Sequence, residues 1–198
     1  MDAKSGAGRY VWILPLLALT LFYCRDSIFL GRIPMVLNGD EEAAFYSSLV
    51  FLHEWAGKGV FPLWEMMTKC GHPYGLFSVS IYDLFHLAAL VVSADQAYAG
   101  VKVLNFFLTG WIFGLFLLKK GVSRFAAGLA GMLWAVVSSQ GGNPEIGFFF
   151  FPLAFLAAEG YLLRQSRLTF IGLTVTLALF YLNANPQVFL YVSIFLFG

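Results

Sequence analysis

Charged residues are scarce in this chain. Lysine, arginine, aspartate and glutamate make up 12% of its 198 residues, whereas 60% of the residues are hydrophobic. A soluble domain carries about 25% charged residues. This little charge is not enough to cover a soluble globule, and we therefore expect lipid to be the outer solvent. The formal net charge of +1 does not produce the strongly positive potential that attracts nucleic acid, so no nucleic-acid partner is expected.

Cysteine is almost absent as well. The two cysteines, Cys24 and Cys70, fit no metal-binding or redox spacing and define no disulfide framework. The chain also lacks a P-loop, a dinucleotide-binding fingerprint, a Ser-His-Asp signature and zinc-ligand spacing. These absences argue against a nucleotide cofactor and against a nucleotide-sugar donor.

Long apolar runs separated by short connectors are what the chain has instead. We interpret them as membrane spans and predict an all-α, polytopic transmembrane protein. The first run has no small-x-small cleavage site after it, so it is expected to stay uncleaved. The last run is incomplete, which suggests the N-terminal part of a longer protein. The predicted spans are about 7–24, 99–118, 123–138, 146–163, 168–183 and 187–198.

Basic connectors alternate with connectors that have no lysine or arginine. Lys119, Lys120 and Arg124 follow one span, and Arg164 and Arg167 follow another, while the intervening connectors have none. Short basic loops are cytoplasmic. The pattern predicts a multi-pass protein of the cytoplasmic (inner) membrane, with a cytoplasmic N-terminus and an extracytoplasmic first loop over about 25–98.

That external loop has polar, titratable residues that the rest of the chain lacks. Asp40 is suited to cap a helix over 41–56, whose apolar residues fall on one face and predict an amphipathic, interfacial helix. Residues 77–93 are apolar but include Asp83 and His86. A crossing there would invert every later loop against the charge rule, so we place 77–93 at the interface or in a shallow re-entrant helix.

Several short motifs in and after this loop resemble a known family. They are Gly39-Asp40, Gly59-Val60-Phe61-Pro62-Leu63-Trp64, Gly71-His72-Pro73, Phe151-Pro152-Leu153 leading to Glu159, and Asn185-Pro186-Gln187 with Tyr191. Their order is similar to that of the YfhO-like bacterial membrane proteins, within the GT-C class of membrane glycosyltransferases. The chain departs from the family pattern at Glu65, where asparagine is frequent, and at Ala184-Asn185, where Gly-His is frequent.

The resemblance implies a GT-C-like module that transfers a sugar from a polyprenyl-phosphate carrier to an extracytoplasmic acceptor hydroxyl. It implies that Asp40 is the catalytic base, because GT-C enzymes place an acidic residue at the opening of the first external loop. From the residues alone, a helix cap is the better explanation of Asp40, and the resemblance is what favours the base. A single displacement assisted by one base predicts inversion at the anomeric carbon.

The substrate would need further partners in the same loop. His72 and Lys69 are candidates for the departing phosphate, and Trp64 for stacking on the sugar. Glu145, Asp83 and His86 are further substrate-binding candidates, although a solvated surface role explains each of them too. The sequence does not determine whether a cofactor is needed. A divalent cation shared by Asp40 and either Glu41 or Glu42 is one alternative. The expected partners are the lipid-linked sugar donor and membrane lipids; the sequence does not identify the acceptor.

Two other classes of function compete with the enzyme. A transporter or flippase of a lipid-linked substrate would need polar residues or broken helices inside the spans. Lys102, Asn105 and Glu159 are the few such residues after position 99. A non-catalytic membrane assembly protein would use the acidic loop only as a surface.

Overall fold

The computed structural model describes residues 11–29, 40–59, 64–65, 72–73, 86–139, 147–183, 190 and 193–194. Within these ranges the regular structure is helical, apart from one pair of two-residue strands. The predicted all-helical class is confirmed at this level. The helices are α1 (Ile13–Tyr23), α2 (Arg25–Phe29), α3 (Asp40–Gly57), a 3-10 helix (His86–Leu90), α4 (Ala94–Lys119), α5 (Arg124–Ser139), α6 (Gly147–Arg164) and α7 (Arg167–Asn183).

The 26-residue helix α4 is the centre of the fold. It packs against α1, α2, α3, the 3-10 helix, α5 and α6, and α7 packs on the far side of α6. Among the described residues, α4 is also the one helix both long and apolar enough to cross a membrane. At about 1.5 Å per residue it is about 39 Å long.

Small residues bring α1, α4 and α5 close together in the middle of α4. A Cβ atom built on Gly131 of α5 would lie 2.5 Å from the carbonyl oxygen of Gly110 in α4. A Cβ atom on Gly114 would lie 2.6 Å from Cζ3 of Trp12, and one on Gly110 would lie 2.7 Å from Cδ1 of Leu16. Gly110-x-x-x-Gly114 is the small-xxx-small spacing that lets helix backbones approach each other in membranes. The glycine-rich sequence of α5 favours this close packing.

Aromatic side chains fill the contact between α6 and α7 and part of the contact between α4 and α5. Phe149 and Phe150 of α6 are buried and stack on each other, and Phe150 also stacks on Phe180 of α7. Trp134 of α5 stacks on Phe113 of α4, with a ring distance of 5.0 Å. The phenylalanine run at 148–151 is therefore at least partly packed inside the bundle.

The longer helices run alternately up and down, which places the two kinds of connector at opposite ends. Lys119 and Lys120 end α4 at the same end of the bundle where α6 stops, because both lysines reach Glu159 near the end of α6. The Nζ–Oε distances are 3.2 Å and 3.0 Å. We call this the basic end. Among the residues that the structure describes, its positively charged side chains are Lys119, Lys120, Arg124, Arg164 and Arg167.

The other end, which we call the loop end, holds α2, α3, the 3-10 helix and the beginning of α4. Helix α1 arrives there as well, since the Tyr23 ring stacks on Phe106 and the Tyr23 hydroxyl accepts a hydrogen bond from Ser139 at the end of α5. At the opposite end of α1, Trp12 packs against Gly114 and Gly128, toward the basic end.

Four features differ from the sequence-based expectation. Helix α1 begins at Ile13, because Val11 and Trp12 lie in a turn, whereas the predicted first span begins at about residue 7. Helix α4 begins at Ala94 rather than 99, because Ser93 and Gln96 form a reciprocal capping box that satisfies backbone N–H groups at the first turn. Helix α3 begins at Asp40 itself, where we expected Asp40 to be the cap. In the described part of 77–93, a short 3-10 helix over His86–Leu90 leads into the turn before Ser93, and no α-helix runs through 86–93.

Candidate functional site

Helix α3 is joined to the beginning of α4 by a phenol–carboxylate hydrogen bond. The hydroxyl of Tyr46 donates to Oδ1 of Asp95, at 2.6 Å. The Tyr46 ring also meets the buried ring of Tyr98 edge-on, with centroids 5.6 Å apart. These contacts fix one face of α3 on the first turns of α4.

The pKa of Tyr46 shows which of the two groups keeps the proton. The hydrogen bond to Asp95, assisted by partial burial and by the charge of that carboxylate, raises the pKa of Tyr46 from 10 to about 12. Tyr46 is therefore a phenol at any physiological pH, and the carboxylate of Asp95 is the proton acceptor of the pair. Asp95 also lies in the first turn of α4, where the helix dipole favours negative charge.

A histidine joins α3 to the 3-10 helix. The Nδ1 atom of His53 lies 2.9 Å from the carbonyl oxygen of Ala89. Because a carbonyl oxygen only accepts, this bond requires a proton on Nδ1. In the neutral imidazole, Nε2 is then the acceptor nitrogen. The contact orients a half-buried ring at the loop end.

Polar side chains continue from this site into the apolar length of α4. Tyr98, Lys102, Asn105 and Thr109 are spaced by four, three and four residues, which places them on one face of the helix. The Lys102 Nζ atom lies 5.6 Å from the centroid of the Tyr98 ring. The Thr109 hydroxyl donates to Oδ1 of Asn105, at 3.3 Å. We call these four residues the polar stripe of α4.

The structure locates the backbone of four predicted site residues, and their side chains lie outside the description. Asp40 is the first residue of α3, about 9 Å along the helix axis from Tyr46. His86 is the first residue of the 3-10 helix. Trp64 and His72 belong to the two short antiparallel strands β1 (Trp64–Glu65) and β2 (His72–Pro73).

The strand pair brings two of these predicted residues close in the fold. Trp64 is opposite Pro73, and Glu65 is opposite His72. Neighbouring strands lie about 4.8 Å apart, so the backbones of Trp64 and His72 are close although eight residues separate them in sequence. The remaining candidates, Lys69, Asp83 and Glu145, lie outside the described residues, as do Glu41 and Glu42 in their side chains.

Metal binding has no support in the described part of the chain. Within it, no group of three or more histidine, cysteine, aspartate or glutamate side chains is placed to hold an ion. The divalent-cation alternative for Asp40 depends on side chains outside that part and stays a prediction.

Sequence reasoning missed three side chains of this site, Tyr46, His53 and Asp95, and noted Lys102 only as a polar residue inside a predicted span. Two signals could have found some of them. The Ser93-x-x-Gln96 pattern marks the true start of α4 and makes Asp95 a first-turn acid. The spacing of Tyr98, Lys102, Asn105 and Thr109 marks a polar face on an otherwise apolar helix. No local pattern, however, indicates that Tyr46 meets Asp95, because 49 residues separate them.

Comparison with known proteins adds no relative: no family model, no curated protein and no solved structure matches the chain. The resemblance of its short motifs to YfhO-like proteins therefore stays an expectation.

Proposed function

We propose that the chain is a membrane glycosyltransferase that moves a sugar from a polyprenyl-phosphate carrier to an acceptor hydroxyl outside the cytoplasmic membrane. The observation that carries the proposal is the uneven balance of charge along the bundle. Among the described residues, the basic end holds five cations against one acid, Glu159, whereas at the opposite end, where the helix that begins with Asp40 lies, Arg25 and Lys58 are balanced by acids.

The outer surface of the bundle supports the membrane part of the proposal. Large apolar side chains on α1, α5 and α7 point outward, and Phe22, Leu133 and Val175 are each at least half exposed. In water such a surface is an aggregation liability, whereas in a bilayer it is the normal outer face. That several of these helices cross the membrane is part of this proposal.

The orientation follows from the basic end. Short loops rich in lysine and arginine stay in the cytoplasm, so the loop end faces outward. Asp40, Tyr46, Asp95 and the strand pair with Trp64 and His72 then belong to the outer surface of the membrane. A lipid-phosphate carrier would present its sugar at that level.

The chemistry needs a free carboxylate as base. Asp95 is engaged by the phenol of Tyr46. As the family resemblance implies, we assign Asp40 as the residue that takes the proton of the acceptor hydroxyl. The acceptor oxygen then attacks the anomeric carbon, the bond to the carrier phosphate breaks, and the phosphate departs with the lipid. His72 and Lys69 would stabilise the departing charge.

The polar stripe of α4 favours a second candidate, a transporter or flippase of a lipid-linked substrate. Lys102, Asn105 and Thr109 lie within the predicted span 99–118, and polar or ionisable groups at membrane depth default to a functional role. Such a protein would use the stripe as part of a path for the polar headgroup rather than for bond breaking.

Proteoliposomes containing a polyprenyl phosphate with a radiolabelled hexose separate these functions, with envelope membranes added as the source of acceptor. We expect label to move from carrier to acceptor, and Asp40→Asn to slow this transfer by at least about 100-fold. Glu54→Gln, which changes an exposed acid of the same helix, is the matched control and should retain the wild-type rate. The Asn variant must remain membrane-inserted for the comparison to hold.

Wild-type turnover by the Asp40→Asn variant would remove Asp40 from catalysis. Translocation of the labelled carrier without transfer would replace the enzyme by the transporter. If neither process occurs, the chain is a non-catalytic membrane protein.

A further inference from the structure

The connection between α6 and α7 is short and well ordered by its own side chains. It consists of Gln165 and Ser166, and Gln165 adopts a left-handed backbone with φ of 45°. The Thr169 N–H donates to the Ser166 hydroxyl oxygen and the Ser166 N–H donates to the Thr169 hydroxyl oxygen, both at 3.2 Å. This reciprocal cap fixes the backbone between Arg164, the last residue of α6, and Arg167, the first of α7.

The two arginines differ from the two lysines of the same end in their partners. Lys119 and Lys120 share the carboxylate of Glu159. Arg164 and Arg167 are exposed and form no ion pair with any residue in the described part of the chain. The arginine pair therefore presents two uncompensated charges from one tight turn.

Apolar side chains next to the arginines indicate what kind of anion fits. Leu162, Leu163 and Leu168 are 69%, 73% and 79% exposed. A free anion in water would leave the apolar surface of these leucines exposed. Hydrocarbon directly below a charged headgroup would remove that surface from water, which is energetically favourable. The arginines are therefore suited to the phosphate of a phospholipid, and the adjacent exposed leucines are suited to its acyl chains.

We propose that the α6–α7 turn binds the headgroup of an anionic phospholipid through Arg164 and Arg167. The guanidinium groups contact the phosphate of the lipid, and the three leucines lie along its acyl chains. Guanidinium is suited to phosphate because its N–H groups match two oxygens at once. The proposal rests on the membrane placement of the proposed function, but it is independent of sugar transfer.

Native mass spectrometry of the whole chain tests it in micelles containing equal amounts of phosphatidylglycerol and phosphatidylcholine with identical acyl chains. We expect the wild type to retain phosphatidylglycerol preferentially. The double variant R164Q/R167Q should lose about fivefold in this preference for each arginine removed. The matched variant K119Q/K120Q removes the same charge from the same end and should lose much less, because Glu159 already occupies those lysines.

The conservative variant R164K/R167K keeps the charge and should keep most of the preference, which guards against a folding effect of the Gln variant. Equal losses in the arginine and lysine variants would overturn the proposal, and so would an unchanged preference in R164Q/R167Q. Displacement of the lipid by excess inorganic phosphate would overturn the lipid as ligand.

Extraction of the chain from membranes by carbonate would overturn the membrane placement itself, whereas stable insertion without lipid preference overturns only this inference.

Discussion

Helix α4 is packed in two different ways along its length. In its middle, Gly110 of α4 and Gly131 of α5 let these two backbones approach with almost no side chain between them, whereas α1 packs there through the side chains of Leu16 and Trp12. At its two ends, polar side chains make the contacts: Tyr46 with Asp95 at the loop end, and Lys119 and Lys120 with Glu159 at the basic end.

The difference follows from the solvent that each part is proposed to meet. Inside a bilayer there is no hydrophobic driving force between helices, so close van der Waals contact through small residues has to provide the association. At the membrane surfaces, water and headgroups reduce the cost of charge, and polar pairs become usable. The following predictions test whether these two kinds of contact respond differently.

The largest effect is expected in the middle of α4. Gly131→Ala places a Cβ atom 2.5 Å from the Gly110 carbonyl oxygen, and a backbone atom cannot rotate away as a side chain can. The two helices must separate, at a cost of about 2–3 kcal/mol. Thermal unfolding in detergent measures the loss.

Gly100→Ala is the matched control, because a Cβ atom on Gly100 meets nothing within 4 Å. Alanine is a better helix former than glycine, so this substitution should stabilise α4 by up to about 1 kcal/mol. The two substitutions are chemically identical, and opposite signs are expected. A neutral or stabilising Gly131→Ala would show that the close approach is not required.

A smaller effect is expected at the basic end. Glu159→Gln leaves Lys119 and Lys120 next to each other without their shared carboxylate, which should lower the stability of the fold by less than Gly131→Ala does, because exposed ion pairs contribute little. The difference from wild type should shrink in high salt because exposed charges are screened. The cost of Gly131→Ala should not depend on salt. Equal salt dependence of the two variants would contradict the division between polar ends and apolar middle.

The helices of this fold are mostly visible in the sequence, because each apolar run of about 16–20 residues has one preferred structure in the apolar solvent that we propose for it. The predicted ends at 118, 138 and 163 lie within a residue of those of α4, α5 and α6. The start of α4 was missed by five residues. Hydropathy does not register a capping box, and Ser93 with Gln96 extends the helix past its apolar core.

The site was less predictable than the helices. Asp40, Trp64 and His72 were chosen by resemblance to short motifs, which say nothing about distance in the fold. The contacts observed at the loop end join positions far apart in sequence, such as His53 with Ala89. A helix period describes which residues share a face, but it does not describe which face of another helix they meet.

The smallest effect is expected at the loop end, and pH makes it recognisable. Tyr46→Phe removes the hydroxyl that donates to Asp95, an exposed bond worth about 0.5–1 kcal/mol. The pKa of Tyr46 is raised to about 12 in the folded chain, against 10 when it is unperturbed. The stability gained from the phenol is therefore complete below pH 10 and is lost as the pH rises toward 12. Unfolding of wild type and variant should differ at pH 8 and converge over that interval. The absence of a gap at pH 8 would show that ring packing against Tyr98, which phenylalanine preserves, rather than the hydrogen bond to Asp95, joins α3 to α4.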